Sequence, residues 1–135
     1  MNDYTYKKDS HKSGDSRYLH RGAMNWKQAE NIQNESTVEG KIFQGLKKLE
    51  QIRKAEKAFV SYADTWTCDT GDSSVLCIGR YYDGDKIIDL FNFSEFDKVV
   101  WIDEVDNYVE LISNNTMKLS GINIPAYGFY YLKKL

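Results

Sequence analysis

A chain of 135 residues can hold one domain with a real core, but it is too short for a (β/α)₈ barrel, which needs roughly 250. Its 18 Lys and Arg against 20 Asp and Glu leave a formal charge of −2, which excludes nucleic acid as the main partner because phosphate binding needs a basic surplus. Two cysteines are too few for a secreted disulfide scaffold of this size, and no apolar run approaches a membrane span, so the expectation is a soluble, cytoplasmic chain with no membrane or metal partner and no cofactor.

Composition divides the chain at about residues 34 and 56. Residues 1–34 form a polar arm with few aliphatic side chains, unable to bury enough apolar surface to order itself. Within it, GDSRYLHRG (Gly14 to Gly22) concentrates directional groups. Arg17 offers a planar five-donor fork suited to a carboxylate or to vicinal sugar hydroxyls, and Asp15, His20 and Arg21 either orient it or form loop contacts of their own. The segment either faces a polar ligand or is simply solvated, and the residues alone favour solvation. His11 and His20 are poor candidates for a zinc site. A short helical turn is expected from Asn25 to Ile32, capped by Asn25.

Residues 35–56 read as one long helix. Ser36 and Glu39 have capping-box spacing, and Val38, Ile42, Phe43, Leu46, Leu49 and Ile52 form an apolar stripe at three- and four-residue steps. Gly40 and Gly45 each weaken such a helix by about 1 kcal/mol relative to alanine, which suggests close packing or a helix stabilised by something larger than itself.

From residue 57 to 135 the period becomes two. Strands are expected near Ala58–Ala63, Thr65–Cys68, Val75–Tyr82, Lys86–Ser94, Val99–Ile102, Asn107–Ile112, Thr116–Leu119 and Gly128–Leu132. Between them lie the turn-forming stretches TGDS, DGD, EVD, SNNT and SGIN. Asp83-Gly84 is a hairpin signal, and Pro125 precedes the last strand, where it breaks no ladder. The pattern predicts a mainly β fold, an antiparallel sandwich or barrel behind one helix. Cys68 and Cys77 are expected as buried free thiols. Trp66 and Trp101 are expected in the core, while the role of Trp26 stays open.

No catalytic constellation stands out: GxSxG, HExxH and phosphate-binding glycine loops are all missing from the sequence. The carboxylate pairs Asp103/Glu104 and Glu95/Asp97 fall in turns, where solvated charge is ordinary. No catalytic residue is assigned.

The order of motifs nevertheless carries a resemblance. NDYTYKKDSHKSGDSRYLHRG, then MNW, then TVEGKIFQGLKKLEQIRK, then LFNFSE resembles the C-terminal region of amylosucrase-like enzymes, sucrose-acting members of the α-amylase superfamily (glycoside hydrolase family 13). The match is in order and spacing over essentially the whole chain, with Gly22 departing from the proline usual there. The resemblance implies that residues 1–34 are the loop after the last barrel strand, 35–56 the eighth barrel helix, and 57–135 the C-terminal antiparallel β-sandwich of the domain-C type. It implies that Arg17 is substrate-binding, pairing with an acidic residue at the floor of a glucosyl pocket. It also implies a retaining two-carboxylate mechanism on sucrose or an α-glucan, with both carboxyl groups upstream of this chain.

On this reading the chain is a severed piece, inactive alone. Its helix stripe at 36–55 would be covered by a second copy, by the β domain, or by the missing barrel domain. The competing reading is a free-standing carbohydrate-binding or protein-interaction β module. An aromatic row on one exposed sheet face would favour that module, and a buried aromatic set beneath a charged outer face would favour the enzyme tail.

Overall fold

The computed structural model describes residues 4–20 and 25–135, with the side chain of His20 also outside the description. It divides into two compact units, Met1–Gln44 and Gly45–Leu135.

The first unit consists of turns and short helices. Helical 3-10 turns span Thr5–Lys8, Ser16–His20 and Glu30–Gln33, and α1 spans Trp26–Ala29. The Asn25 side chain caps α1 as expected, accepting from the Gln28 N–H at 3.3 Å. Helix α2 (Val38–Ala55) begins in this unit, one residue later than its capping-box pattern suggests. The Asn34 side chain takes the Ser36 N–H at 3.0 Å, so the chain is still turning at Ser36. Thr37 is the cap instead: its hydroxyl oxygen accepts from the Gly40 N–H at 3.1 Å, while its hydrogen points to the carbonyls of Asn34 at 2.7 Å and Asn31 at 3.1 Å. Glu39, displaced from the capping-box role, accepts from Gln28 Nε2 at 2.6 Å. Gly40 is the one buried residue among those described in this unit. The close packing suggested for the two glycines holds for Gly40, where a Cβ would fall 1.9 Å from the Asn34 carbonyl oxygen. It does not hold for Gly45, where a Cβ would meet nothing within 4 Å.

The second unit is mainly antiparallel β. Its strands are β1 (Asp64–Cys68), β2 (Val75–Tyr82), β3 (Asp85–Asn92), β4 (Lys98–Trp101), β5 (Asn107–Glu110), β6 (Thr116–Lys118), β7 (Ser120–Ile124) and β8 (Phe129–Lys134). They form a six-stranded sheet in the order β1-β2-β3-β8-β5-β6 and a two-stranded sheet of β4 and β7. The core joins both sheets. Cys77, Ile88, Leu90, Tyr108 and Leu132 of the larger sheet pack with Val100, Ile122 and Ile124 of the smaller, so this is a sandwich of unequal layers.

The Asp83-Gly84 hairpin is confirmed. Both residues take positive φ, 47° and 87°, as a two-residue turn matching the twist of β2 and β3 requires. Two expectations fail. Residues 58–63 are not a strand, because local bonds such as Val60 N–H to Lys57 C=O and Ala63 N–H to Val60 C=O curl them into turns, with Ala58 fully buried. SGIN, read as a turn, lies in β7. Val100 pairs with Ile122 and Trp101 with Ser120, leaving Gly121 (φ 69°) as the extra residue of a β-bulge.

Trp66 and Trp101 are not core residues; they are 38% and 63% exposed. Trp66 sits on the edge strand β1, and Trp101 stands at the bulged end of β4. Cys77 is buried as expected and burial pushes its thiol pKa up, whereas Cys68, its cross-strand partner, is only half-buried.

The Asn-Phe-Ser stretch closing β3 proves to be a structural tie. Buried Asn92 directs its Nδ2 at the carbonyls of Phe96, Ile124 and Pro125 (2.8, 3.2 and 3.0 Å), and its Oδ1 accepts from the N–H and hydroxyl of Ser94 (2.9 and 2.8 Å). One amide thus joins the end of the large sheet to the end of β7 in the small one.

Candidate functional site

In the first unit the sequence points to Arg17. It lies in the 3-10 turn Ser16–His20, directly after a tight Asx turn in which Asp15 Oδ1 accepts the Arg17 N–H at 3.0 Å. The same carboxylate holds the guanidinium: Nε donates to Oδ1 at 2.9 Å and to Oδ2 at 3.0 Å, and an NH2 group donates to Oδ2 at 2.7 Å. This pair raises the Arg17 pKa further above its ordinary value. The Arg17 side chain is 74% exposed, so Asp15 presents the fork at the surface instead of sequestering it. The expected roles of His20, Arg21 and Gly22 lie outside the described residues.

The second unit contains a site that sequence reasoning missed. Ile88 and Leu90 of β3 point into the core, so Ile87, Asp89 and Phe91 face the opposite side of the large sheet. On that side, Phe91 stacks with Phe93 and Phe129 at centroid separations of 6.4 and 6.2 Å, and Tyr131 meets Phe91 and Phe59 edge-on at 6.0 and 5.4 Å. Asp89 stands among these rings and is 1% exposed. Arg80 Nε donates to its Oδ2 at 2.7 Å, and the Arg80 guanidinium also lies 5.6 Å from the centre of the Phe59 ring. Asp89 Oδ1 is buried without a hydrogen-bond partner among the described residues. Burial raises the Asp89 pKa, and the bond from Arg80 only partly opposes that shift.

A cleft of about 400 Å³ opens over this pair, with Leu49 and Ile52 from the C-terminal half of α2 on one side and Phe59, Phe91 and Tyr131 on the other. Its signal was present in the sequence. Asp89 is the one charge inside the apolar run IIDLF, and centring the hairpin on Asp83-Gly84 fixes Arg80 opposite Ile87, diagonal to Asp89.

The carboxylates weighed as pairs have separate duties. Glu104 forms an ion pair with Lys86 and accepts from the Tyr108 hydroxyl at 3.1 Å, while Asp97 takes the Ala126 N–H at 3.0 Å. Buried Glu110 accepts the N–H groups of Ile112 and Ser113 at 2.9 and 2.6 Å, closing the turn after β5. Among the described residues no group of His, Cys, Asp and Glu is arranged to hold a metal ion, and no helix is long and apolar enough to cross a membrane.

No protein-family model and no curated protein sequence matches the chain. Solved structures do. A maltogenic amylase from S. marinus aligns with a TM-score of 0.54 and 21% identity, covering 70% of this chain and 12% of that one. A β-galactosidase from Bacillus circulans sp. alkalophilus aligns with a TM-score of 0.45 and 18% identity over 50% of this chain and 10% of that one. A GH42 β-galactosidase, Gan42B, gives 0.41 and 13% over 68% and 12%. The matched part therefore spans only about an eighth of the amylase, and what that likeness establishes is a shared fold.

Proposed function

We propose that this chain is the C-terminal region of an amylosucrase-like glycoside hydrolase. In this reading the intact enzyme acts on sucrose or α-glucans by a retaining mechanism, and both carboxyl groups belong to an upstream barrel domain. The chain alone is non-catalytic, and Arg17 contributes to the glucosyl pocket of the whole enzyme. What supports this reading is the fold shared with part of a maltogenic amylase over 70% of this chain, together with the sequence of arm, helix and β unit along the chain.

The helix supports the same reading. Val38, Ile42 and Leu46 are 69%, 58% and 62% exposed, an apolar stripe that suits a larger neighbour. The occupant we assign is the barrel domain; a homodimer through residues 36–55 is the outcome that would replace it. Free thiols at Cys68 and Cys77 fit a reducing, cytoplasmic setting.

The test has two arms. The DNA upstream is expected to encode a barrel in frame, and the joined polypeptide is expected to release fructose from sucrose while this chain alone releases none. Arg17→Ala in the joined polypeptide should lower turnover by about 100-fold or more, the scale for losing a charged group that orients substrate. Fructose release by the chain alone, or an upstream region without a barrel, would overturn the proposal.

A second reading, a self-sufficient β module, draws on the half-buried aromatic row of Phe91, Phe129 and Tyr131 on the outer sheet face.

A further inference from the structure

The two cysteines of the chain stand directly opposite each other. Cys68 closes the edge strand β1 and pairs in register with Cys77 on β2. Residues facing across an antiparallel pair put their side chains on the same face, with Cα atoms about 4.5–5.5 Å apart. A disulfide spans Cα separations of about 4.4–6.8 Å, so the backbone already holds the two within bonding reach. The side chains agree. Cys77 belongs to the core, and Cys68 packs against the same cluster. Burial, and after it the hydrogen bond and charge of Cys68, raise the Cys77 thiol. Both residues are free thiols.

Their exposures divide the chemistry. Cys77 is 1% exposed, so a reagent in solution does not reach it first. Cys68 is half-buried at the end of an edge strand, just before the connection 69–74. A single buried cysteine is a small hydrophobe whose packing explains it. A second cysteine facing it, open to solvent, adds a nucleophile with a resolving partner. The edge position matters as well. Among the described residues β1 has a ladder neighbour on one side only, so it can adjust to S–S geometry without disturbing a third strand.

We infer that Cys68 and Cys77 form a redox modification site: a low-molecular-weight disulfide of the glutathione class converts them, in the folded chain, to a cross-strand disulfide that staples β1 to β2. The Cys68 thiolate attacks one sulfur of the reagent, forming a mixed disulfide and releasing one glutathione thiolate. Cys77 Sγ then attacks Cys68 Sγ, the bond to glutathione breaks, and the second glutathione leaves with the Cys77 proton. The cysteines together lose two electrons and two protons, and the reagent becomes two thiols. The site lies wholly within Gly45–Leu135 and is independent of Arg17. It stands whether or not the chain belongs to a larger enzyme.

The test is incubation of the native full chain with glutathione disulfide, followed by intact mass and non-reducing peptide mapping. The mass should fall by two hydrogens, the map should join Cys68 to Cys77 within one chain, and dithiothreitol should restore both thiols. Cys77→Ala should stop at the first step, with one glutathione left on Cys68. Cys68→Ser should take up none. Amide exchange at residues 64–68 should slow by about tenfold or more on oxidation, because a side-chain bond then opposes opening of the edge. If Cys77→Ala fails to fold, the wild-type map and Cys68→Ser still decide.

Four results would overturn the inference: wild type that keeps both thiols in the folded state, glutathione retained on Cys68 with no cross-link, a bond between two chains instead of within one, or glutathione taken up by folded Cys68→Ser. Exchange at residues 64–68 that is unchanged or faster in the oxidised chain would also overturn it, by showing that the bond does not staple β1.

Discussion

The indole of Trp66 on β1 lies against Gly79, its cross-strand partner on β2, so closely that a Cβ at Gly79 would sit 2.1 Å from Trp66 Cε2. The glycine makes room for the ring. Lys86 Nζ, 5.7 Å from the ring centre, lies on the indole as well. Gly79→Ala should push the indole off the sheet and cost about 1–3 kcal/mol, the usual scale of overpacking. Chemical denaturation measures the loss. Tryptophan emission should shift to the red, because Trp66 is the least exposed of the three tryptophans.

Asn92 gives a second, larger effect. Replacing it by alanine leaves the Ile124 and Pro125 carbonyls and the Ser94 N–H without their side-chain partner at the junction of the two sheets. The expected loss is about 3 kcal/mol, the sum of more than one buried group left unpaired. Hydrogen exchange should show the loss of protection concentrated at residues 92–97 and 122–128.

The two helical glycines should respond in opposite directions. Gly45→Ala enters open space and should raise stability by about 0.5–1 kcal/mol through helix propensity. Gly40→Ala meets the Asn34 carbonyl oxygen and should fray the start of α2. Circular dichroism at 222 nm through a thermal melt separates them; a helix strengthened by Gly40→Ala would show that the Thr37 cap does not hold the turn as described.

Acid should act on two aspartates with opposite signs. The Ser74 hydroxyl, then Lys98, then the Ser74 N–H hold Asp72 well below its ordinary pKa of 3.8. The unfolded chain therefore binds the proton first, so the stability Asp72 contributes is complete above that value and is lost as pH falls toward its folded pKa. Asp89 is raised from 3.8 by burial. The folded chain binds its proton first, so Asp89 lowers stability progressively as pH rises from its unfolded pKa through its folded one. Urea unfolding from about pH 3 to pH 7 should show wild type losing its advantage over Asp72→Asn on acidification and gaining relative to Asp89→Asn.

Much of the architecture was legible because it rests on local rules. Alternation in VLCIGRYY and KIIDLFN, with Asp83-Gly84 between them, determines the central hairpin and its register, since only residues tolerating positive φ fit that turn. The long helix followed from the spacing of its apolar residues. What misled the reading were places where distant contacts override local preference. SGIN became a strand because β4 pairs with it around a bulge at Gly121, while residues 58–63 went to local turn bonds in place of strand pairing. Trp66 and Trp101 looked like core because their size suits burial, but one lies on the edge strand β1 and the other at the bulged end of β4. The arginine of the arm was visible by residue type alone, whereas the Arg80–Asp89 cleft exists only once β2, β3 and β8 align side by side next to the C-terminal half of α2. Sequence specifies which groups are present and their local period. Burial of a charge, and hence its chemistry, depends on neighbours that only the folded sheet brings within reach.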